Sequence, residues 1–277
     1  HNTLFKYSNE FTQRMYRLLR GQGFSDDAIH YLNPWYPDID LDGHPDEDRR
    51  DYNLFDPEKE LWQAFHEAGA NLSPGQQFVL YLHGHASPDH LEIMPEYKLP
   101  ATQLRELLAL IPTHVSQIII LDSCYSGSFF DELQGVENRI VISSADDHTL
   151  AWNTQYASFA DTFLQNLRRG NSVRDAFKAA EDMIIHDPTL FGEQRPWLED
   201  DGDGQYTSHD GRRAAKVYLG CGDTECVHAA PPPTITQVHP RIALPENVSN
   251  ATHWVTTSSR PEETRQVQAV LISPRFA

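Results

Sequence analysis

The chain has 277 residues, 39% of them apolar, which is enough for one large domain or one domain with a small companion. Its 40 acidic residues outnumber 22 basic ones, and the resulting charge of −18 would repel a phosphate backbone, so a nucleic-acid partner is not expected. No stretch approaches the ~20 apolar residues of a membrane span, and no signal peptide opens the chain, which starts at His1 rather than Met as after processing or trimming.

From Leu4 to Arg20, apolar residues at helical spacing (Phe11, Met15, Leu18 and Leu19 among them) run up to Gly21, a stop signal. Ile29 to Leu32 reads as a short strand, followed by a polar loop from Trp35 to Asn53. Asp56-Pro57-Glu58 has the form of an N-cap with Pro at the first helical position, predicting a helix to about Ala68. A strand at Phe78–His83, a hairpin around Leu91–Leu99 and a helix from Pro100 to about Leu110 follow. Next come strands at Ile118–Leu121 and Ile140–Ser143, then helices at about Phe159–Arg168 and Val173–Ile185, parted by Gly170-Asn171. Strands alternating with helices predict an α/β fold, with a largely parallel sheet between helical layers.

Ala229 to Pro233 is a Pro-rich break. Beyond it, segments at Thr234–Val238, His253–Thr257 and Val267–Ile272 read as strands with no helix signal. The expected division is therefore a main domain over residues 1–228 and a small all-β module over 229–277. No residue of the module stands out for chemistry.

Two apolar runs organise the main domain. Phe78-Val79-Leu80-Tyr81-Leu82 ends in His83-Gly84, and Ile118-Ile119-Ile120-Leu121 ends in Asp122-Ser123-Cys124-Tyr125-Ser126-Gly127. Unalternating runs too short for a helix read as strands buried on both faces. Reactive groups in such sheets gather just past the carboxyl ends of the strands. One strand thus delivers a histidine and the other a cysteine to the same edge. A thiolate is a strong nucleophile, and an imidazole can handle the proton of the leaving amine. The Ser126-Gly127-Ser128 turn allows the amides of Gly84 and Cys124 to face an oxyanion. His85 is the fallback for His83, and Ser123 is a poor nucleophile because no Gly-x-Ser-x-Gly elbow surrounds it. The bland alternatives are a buried structural cysteine and an ordinary surface histidine.

A strand ending in His-Gly, followed 41 residues on by one ending in Asp-Ser-Cys-x-Ser-Gly, resembles the caspase–hemoglobinase fold of cysteine peptidases, whose members include caspases, metacaspases, legumains, clostripain and gingipains. The nearest likeness is to bacterial legumain-like peptidases. It extends to the opening Asn2-Thr3-Leu4-Phe5, to Asp38-Ile39-Asp40-Leu41-Asp42-Gly43 and to Pro196–Gly204, covering about residues 1–220. The resemblance implies a three-layer α/β/α fold, a catalytic dyad of Cys124 and His83, and oxyanion donors at Gly84 and Cys124. It also implies a central apolar strand ahead of the Asn2 helix, which this sequence does not include. By the same resemblance, Asp122 and the loop after the next strand (Ser143, Ser144 and Asp146) line the pocket for the residue before the cut. An acid at the pocket floor favours Arg or Lys, although legumains carry an acid there and prefer Asn. Asp146 and Asp147 read equally well as part of a solvated loop.

Asp38, Asp40, Asp42 and Gly43, with Asp46 beyond, follow the spacing of oxygen-rich calcium loops. The twelfth position of an EF-hand would fall on Arg49, so the pattern fits a related loop and not an EF-hand. Glu199, Asp201 and Asp203 repeat the spacing more weakly, and an acidic surface turn explains either stretch as well. Cys221 and Cys226 could close a small disulfide loop, which would leave Cys124 as the odd thiol. The expectation is a secreted or cell-envelope cysteine endopeptidase acting on peptides or proteins, with no cofactor for catalysis and a structural calcium ion. The rivals are a transpeptidase or ligase using the same acyl-enzyme, and an inactive calcium-stabilised scaffold.

Overall fold

The computed structural model describes residues 3–33, 51–52, 54–153, 157–220 and 268–272. In chain order the elements are α1 (Thr3–Gly21), β1 (Ile29–Leu32), β2 (Asp51–Tyr52), α2 (Pro57–Ala70), β3 (Gln77–Gly84), β4 (Ala86–Ser87), β5 (His90–Met94), β6 (Tyr97–Pro100) and α3 (Ala101–Leu108). They continue with β7 (Ser116–Ser123), α4 (Phe130–Leu133), β8 (Arg139–Ser143), α5 (Phe159–Arg168), α6 (Val173–His186), α7 (Pro188–Phe191), β9 (Trp197–Glu199) and β10 (Gln268–Ile272).

The helices begin where their sequences supply an acceptor for free backbone N–H groups. Asp56 caps α2 by accepting from the Lys59 N–H at 3.3 Å, and Glu60 reaches back to the N–H groups of Leu54 and Asp56. Ser158 and Ser172 cap α5 and α6 in the same way, accepting from Asp161 and Asp175.

Seven strands form one sheet in the order β2-β1-β10-β3-β7-β8-β9, all neighbours parallel except the antiparallel edge strand β9. The strands β4, β5 and β6 make a separate antiparallel meander. On one face Val79, Tyr81, Ile118, Ile120, Ile140 and Ile142 pack against α1, α5 and α6. On the other, Phe78, Leu80, Leu82, Ile119, Leu121 and Val141 pack against α2, α3 and α4. Both faces of β3 and β7 are thus covered, which is why their sequences lack polar alternation. The result is a three-layer α/β/α caspase-like fold. No helix among the described residues is long and apolar enough to cross a membrane.

One expectation needs correction. The strand expected at 267–272 forms over Gln268–Ile272, but it does not belong to an appended module. As β10 it lies inside the main sheet, parallel to β1 on one side and to β3 on the other. The inner position between β1 and β3 is therefore filled from the C-terminal part of the chain. An apolar strand can complete either kind of sheet, and its sequence does not say which. The strands expected at 234–238 and 253–257 lie outside the described residues, as do Asn2, Asp38, Asp40, Asp42, Asp46, Cys221 and Cys226.

Candidate active site

The β3–β7 register sets His83 opposite Asp122 and Gly84 opposite Ser123, so Cys124 follows immediately at the carboxyl edge. The chain leaves β7 through Tyr125, which adopts a left-handed conformation (φ 53°, ψ 19°) and donates its N–H to the Thr149 carbonyl at 2.9 Å. A non-glycine residue in that region is held there by its surroundings. Ser126 supplies much of the hold. Its hydroxyl donates to the Ser123 carbonyl at 2.7 Å and accepts from the Ala145 N–H at 3.3 Å. Gly127 donates to the Ala145 carbonyl at 3.0 Å. A Cβ on Gly127 would lie 2.7 Å from the Asp146 carbonyl carbon and 2.8 Å from the Trp197 ring, so only glycine permits this approach. The Ser-Gly pair after Cys124 thus fastens the nucleophile turn to the loop that follows β8.

That loop meets both candidate catalytic side chains. The half-buried Cys124 Sγ lies 3.8 Å from the Ala151 carbonyl. Two residues on, Asn153 Nδ2 lies 3.5 Å from His83 Nε2. His83 is 1% exposed; its ring packs against Phe11 of α1 at 5.2 Å between centroids. Its polar neighbour is Asp122, whose Oδ2 lies 3.6 Å from Nε2 and accepts from the Tyr81 hydroxyl at 3.1 Å. Burial lowers the pKa of His83, while the Asp122 charge works against that shift. Burial raises the Cys124 thiol, only partly opposed by the contact to Ala151. His85, just past the end of β3, is exposed.

The remaining expected site residues fall into different surroundings. Gly84 is buried as the last residue of β3. Ser143 and Ser144 are fully buried. The Ser143 hydroxyl has no hydrogen-bond partner among the described residues, and the Ser144 carbonyl accepts from Gln194 at 2.6 Å. These two serines hold the end of β8 and present no side chain at the surface. Asp146, half-buried, accepts from the N–H groups of His148 and Thr149 at 2.9 and 2.7 Å, so it shapes the loop from within. In the same loop, Leu150 and Trp152 expose large apolar side chains. The backbone N–H of Trp152 is anchored on Gln194.

Glu199, Asp201 and Asp203 bring one carboxylate oxygen each within 4.8 Å of the others. Those oxygens also serve their own turn: Glu199 accepts from Asp201 and Gly202, Asp201 from Asp203, and Asp203 from Gln205. Sequence reasoning did not single out Tyr81, Ala151 or Asn153. Tyr81 was legible in principle, since residues two apart on a strand share a face. The loop contacts carried no local signal.

Residues 70–183, which include both His83 and Cys124, match the model of the peptidase C13 family. The match spans less than half of the chain; it supports a cysteine peptidase of the legumain type, a family that acts on peptides or proteins. No curated protein matches the chain. Among solved structures, protein GSU0716 from Geobacter sulfurreducens is similar at 18% identity, over 51% of this chain and 72% of that one, with a TM-score of 0.38. A likeness that slight carries no argument.

Proposed function

We propose that the C13 segment is a cysteine endopeptidase whose reacting pair is Cys124 and His83. One observation carries the reading: the sulfur and the imidazole abut carbonyl and amide groups only two residues apart, Ala151 and Asn153. The shifts of both groups favour a neutral thiol and a neutral imidazole at rest. Deprotonation of the thiol then accompanies attack. The sulfur bonds to the scissile carbonyl carbon while the amides of Gly84 and Cys124 hold the oxygen. The proton taken from the thiol passes through His83 to the departing amine as the carbon–nitrogen bond breaks. Water then hydrolyses the thioester.

His83 is nearly sealed, so the Ala151–Asn153 stretch must give way when a peptide binds; the exposed Leu150 and Trp152 beside it would border the incoming chain. Asp122 is 3% exposed and accepts from Tyr81; a preference for Arg or Lys before the cut, with Asn as the alternative, stays within the proposal. A structural calcium ion at Asp38, Asp40, Asp42 and Asp46, and a secreted or cell-envelope setting, stay within the proposal. Their tests are thermal melting with and without chelator, and fractionation of the native host.

The deciding experiment sets the wild type and Cys124→Ala against reporter peptides ending in Arg, Lys, Asn and Asp, alongside an electrophilic peptide probe. Cleavage and labelling at Cys124 are expected only in the wild type, and cleavage retained in Cys124→Ala overturns the mechanism. An added amine appearing in the products would identify the transpeptidase. The burial of His83 favours the inactive scaffold as a second reading, which predicts no labelling with or without calcium.

A further inference from the structure

We propose that the cleft between α2 and α3 is a docking site for a short basic segment of a partner protein, with an Arg side chain laid on Trp62 and paired with Glu58 and Glu106. The site is separate from the one around Cys124. No residue lining the cleft belongs to the nucleophile turn or to the loop after β8.

The helices make the cleft. α2 and the turn that follows α3 touch backbone to backbone, since a Cβ on Gly69 would lie 2.2 Å from the Leu110 carbonyl oxygen. Beside that contact the cleft lies between Asp56–Trp62 on one side and Gln103–Leu110 on the other. It encloses about 580 Å³, a volume in the range of ligand sites. Each wall rises by about 10 Å, the reach of about three residues of extended chain. Leu107 and Leu110 give it an apolar side.

The rest of the lining selects a cation. Asp56, Glu58 and Glu106 supply three carboxylates against the single ammonium of Lys59. Asp56 is taken up in capping α2, which leaves Glu58 and Glu106 for a ligand. The neighbouring cation on α3, Arg105, turns away to Glu132 of α4. Close to Gln103 and Glu58, the Tyr97 hydroxyl is shut off from solvent without a hydrogen-bond partner among the described residues, so it offers one more acceptor. Trp62 is 50% exposed, and the His66 ring stacked on it at 4.6 Å holds the indole in place. A flat indole beside carboxylates suits a guanidinium, which stacks on the ring and presents a fork of N–H donors to the acids. A lysine ammonium pairs with the acids but does not stack. The leucines suit the apolar stem of the same side chain. The chain's charge of −18 speeds encounter with a basic partner.

The test uses the full chain as Cys124→Ala, which keeps the ligand intact, and a fluorescein-labelled Gly-Arg-Leu-Arg-Gly peptide followed by fluorescence polarisation. Saturable binding is expected, weakening as salt is raised. Kd should rise about tenfold in Trp62→Ala and by a similar factor in Glu58→Gln with Glu106→Gln. The same peptide with Lys in place of Arg should bind about threefold more weakly. If Trp62→Ala does not fold, Glu58→Lys with Glu106→Lys, both at exposed positions, carries the test. No saturable binding overturns the proposal. So does an affinity that these variants leave unmoved, because the peptide then sits elsewhere, the Cys124 site included. Displacement of the peptide by an equal concentration of spermine would make the cleft a site for small polyamines and likewise overturns it. Binding is read without cleavage, so a wild type that cleaves no reporter leaves this proposal standing.

Discussion

Val270 pairs in parallel register with Leu80, with the β10–β3 ladder running from Gln268–Phe78 to Ile272–Leu82. Its side chain is fully buried among residues of the α2–α3 layer. β10 therefore contributes both backbone bonds and core to the centre of the domain. Val270→Asp places an unpaired carboxylate there and should cost about 3–5 kcal/mol. Urea denaturation should show a lower midpoint than for the wild type. An unchanged midpoint would mean that β10 does not hold that place in solution.

Gly127 approaches the Asp146 backbone and the Trp197 ring more closely than any Cβ tolerates. Gly127→Ala should destabilise the domain by about 1–3 kcal/mol and push the loop after β8 away from the nucleophile turn. Because that loop also meets Cys124 and His83, labelling of Cys124 should change rate in this variant even where the protein remains folded. Time-resolved mass spectrometry measures it.

The raised thiol of Cys124 has a pH signature of its own. Its ordinary value is 9.0 and burial moves it higher, so little thiolate exists at neutral pH in the resting protein. Alkylation by iodoacetamide should be slow at pH 7 and accelerate as the pH passes 9. A plateau already at neutral pH would indicate a thiolate–imidazolium pair instead.

Glu199 has its carboxyl pushed up to about 7, first by burial and against the help of the Gly202 N–H. A carboxyl raised from 4.5 in the unfolded chain keeps its proton better when folded. Its contribution is thus full below pH 4.5 and is lost as the pH rises through about 7, by up to about 3 kcal/mol. Glu199→Gln keeps an acceptor for the two N–H groups and removes the charge. The variant should melt at a higher temperature than the wild type at pH 8, and the difference should shrink at pH 5. Differential scanning calorimetry at the two pH values decides it.

The strands β3, β7 and β8 were legible because burial on both faces leaves uninterrupted apolar runs. The helices α2, α5 and α6 announced themselves through apolar spacing and capping residues such as Asp56. Less visible was β9, three residues inside a stretch read as an acidic loop. The placement of β10 was hidden for a different reason. An apolar strand reveals that it needs neighbours but not which ones, and its partners lie far back in the chain. In the candidate site, strand ends delivered His83 and Cys124 to one edge as expected. What surrounds them was not readable: Asn153 reaches His83 through a loop, and Asp122 took the partner its strand register offered.

The pairing of Ile29 with Ala269 spans roughly 240 residues of sequence. Contacts of such high order demand long loop closures, which slow folding and prolong the exposure of unpaired strand edges. As the chain leaves the ribosome, β1 and β3 emerge well before β10, and the gap between them closes only when that distant strand arrives.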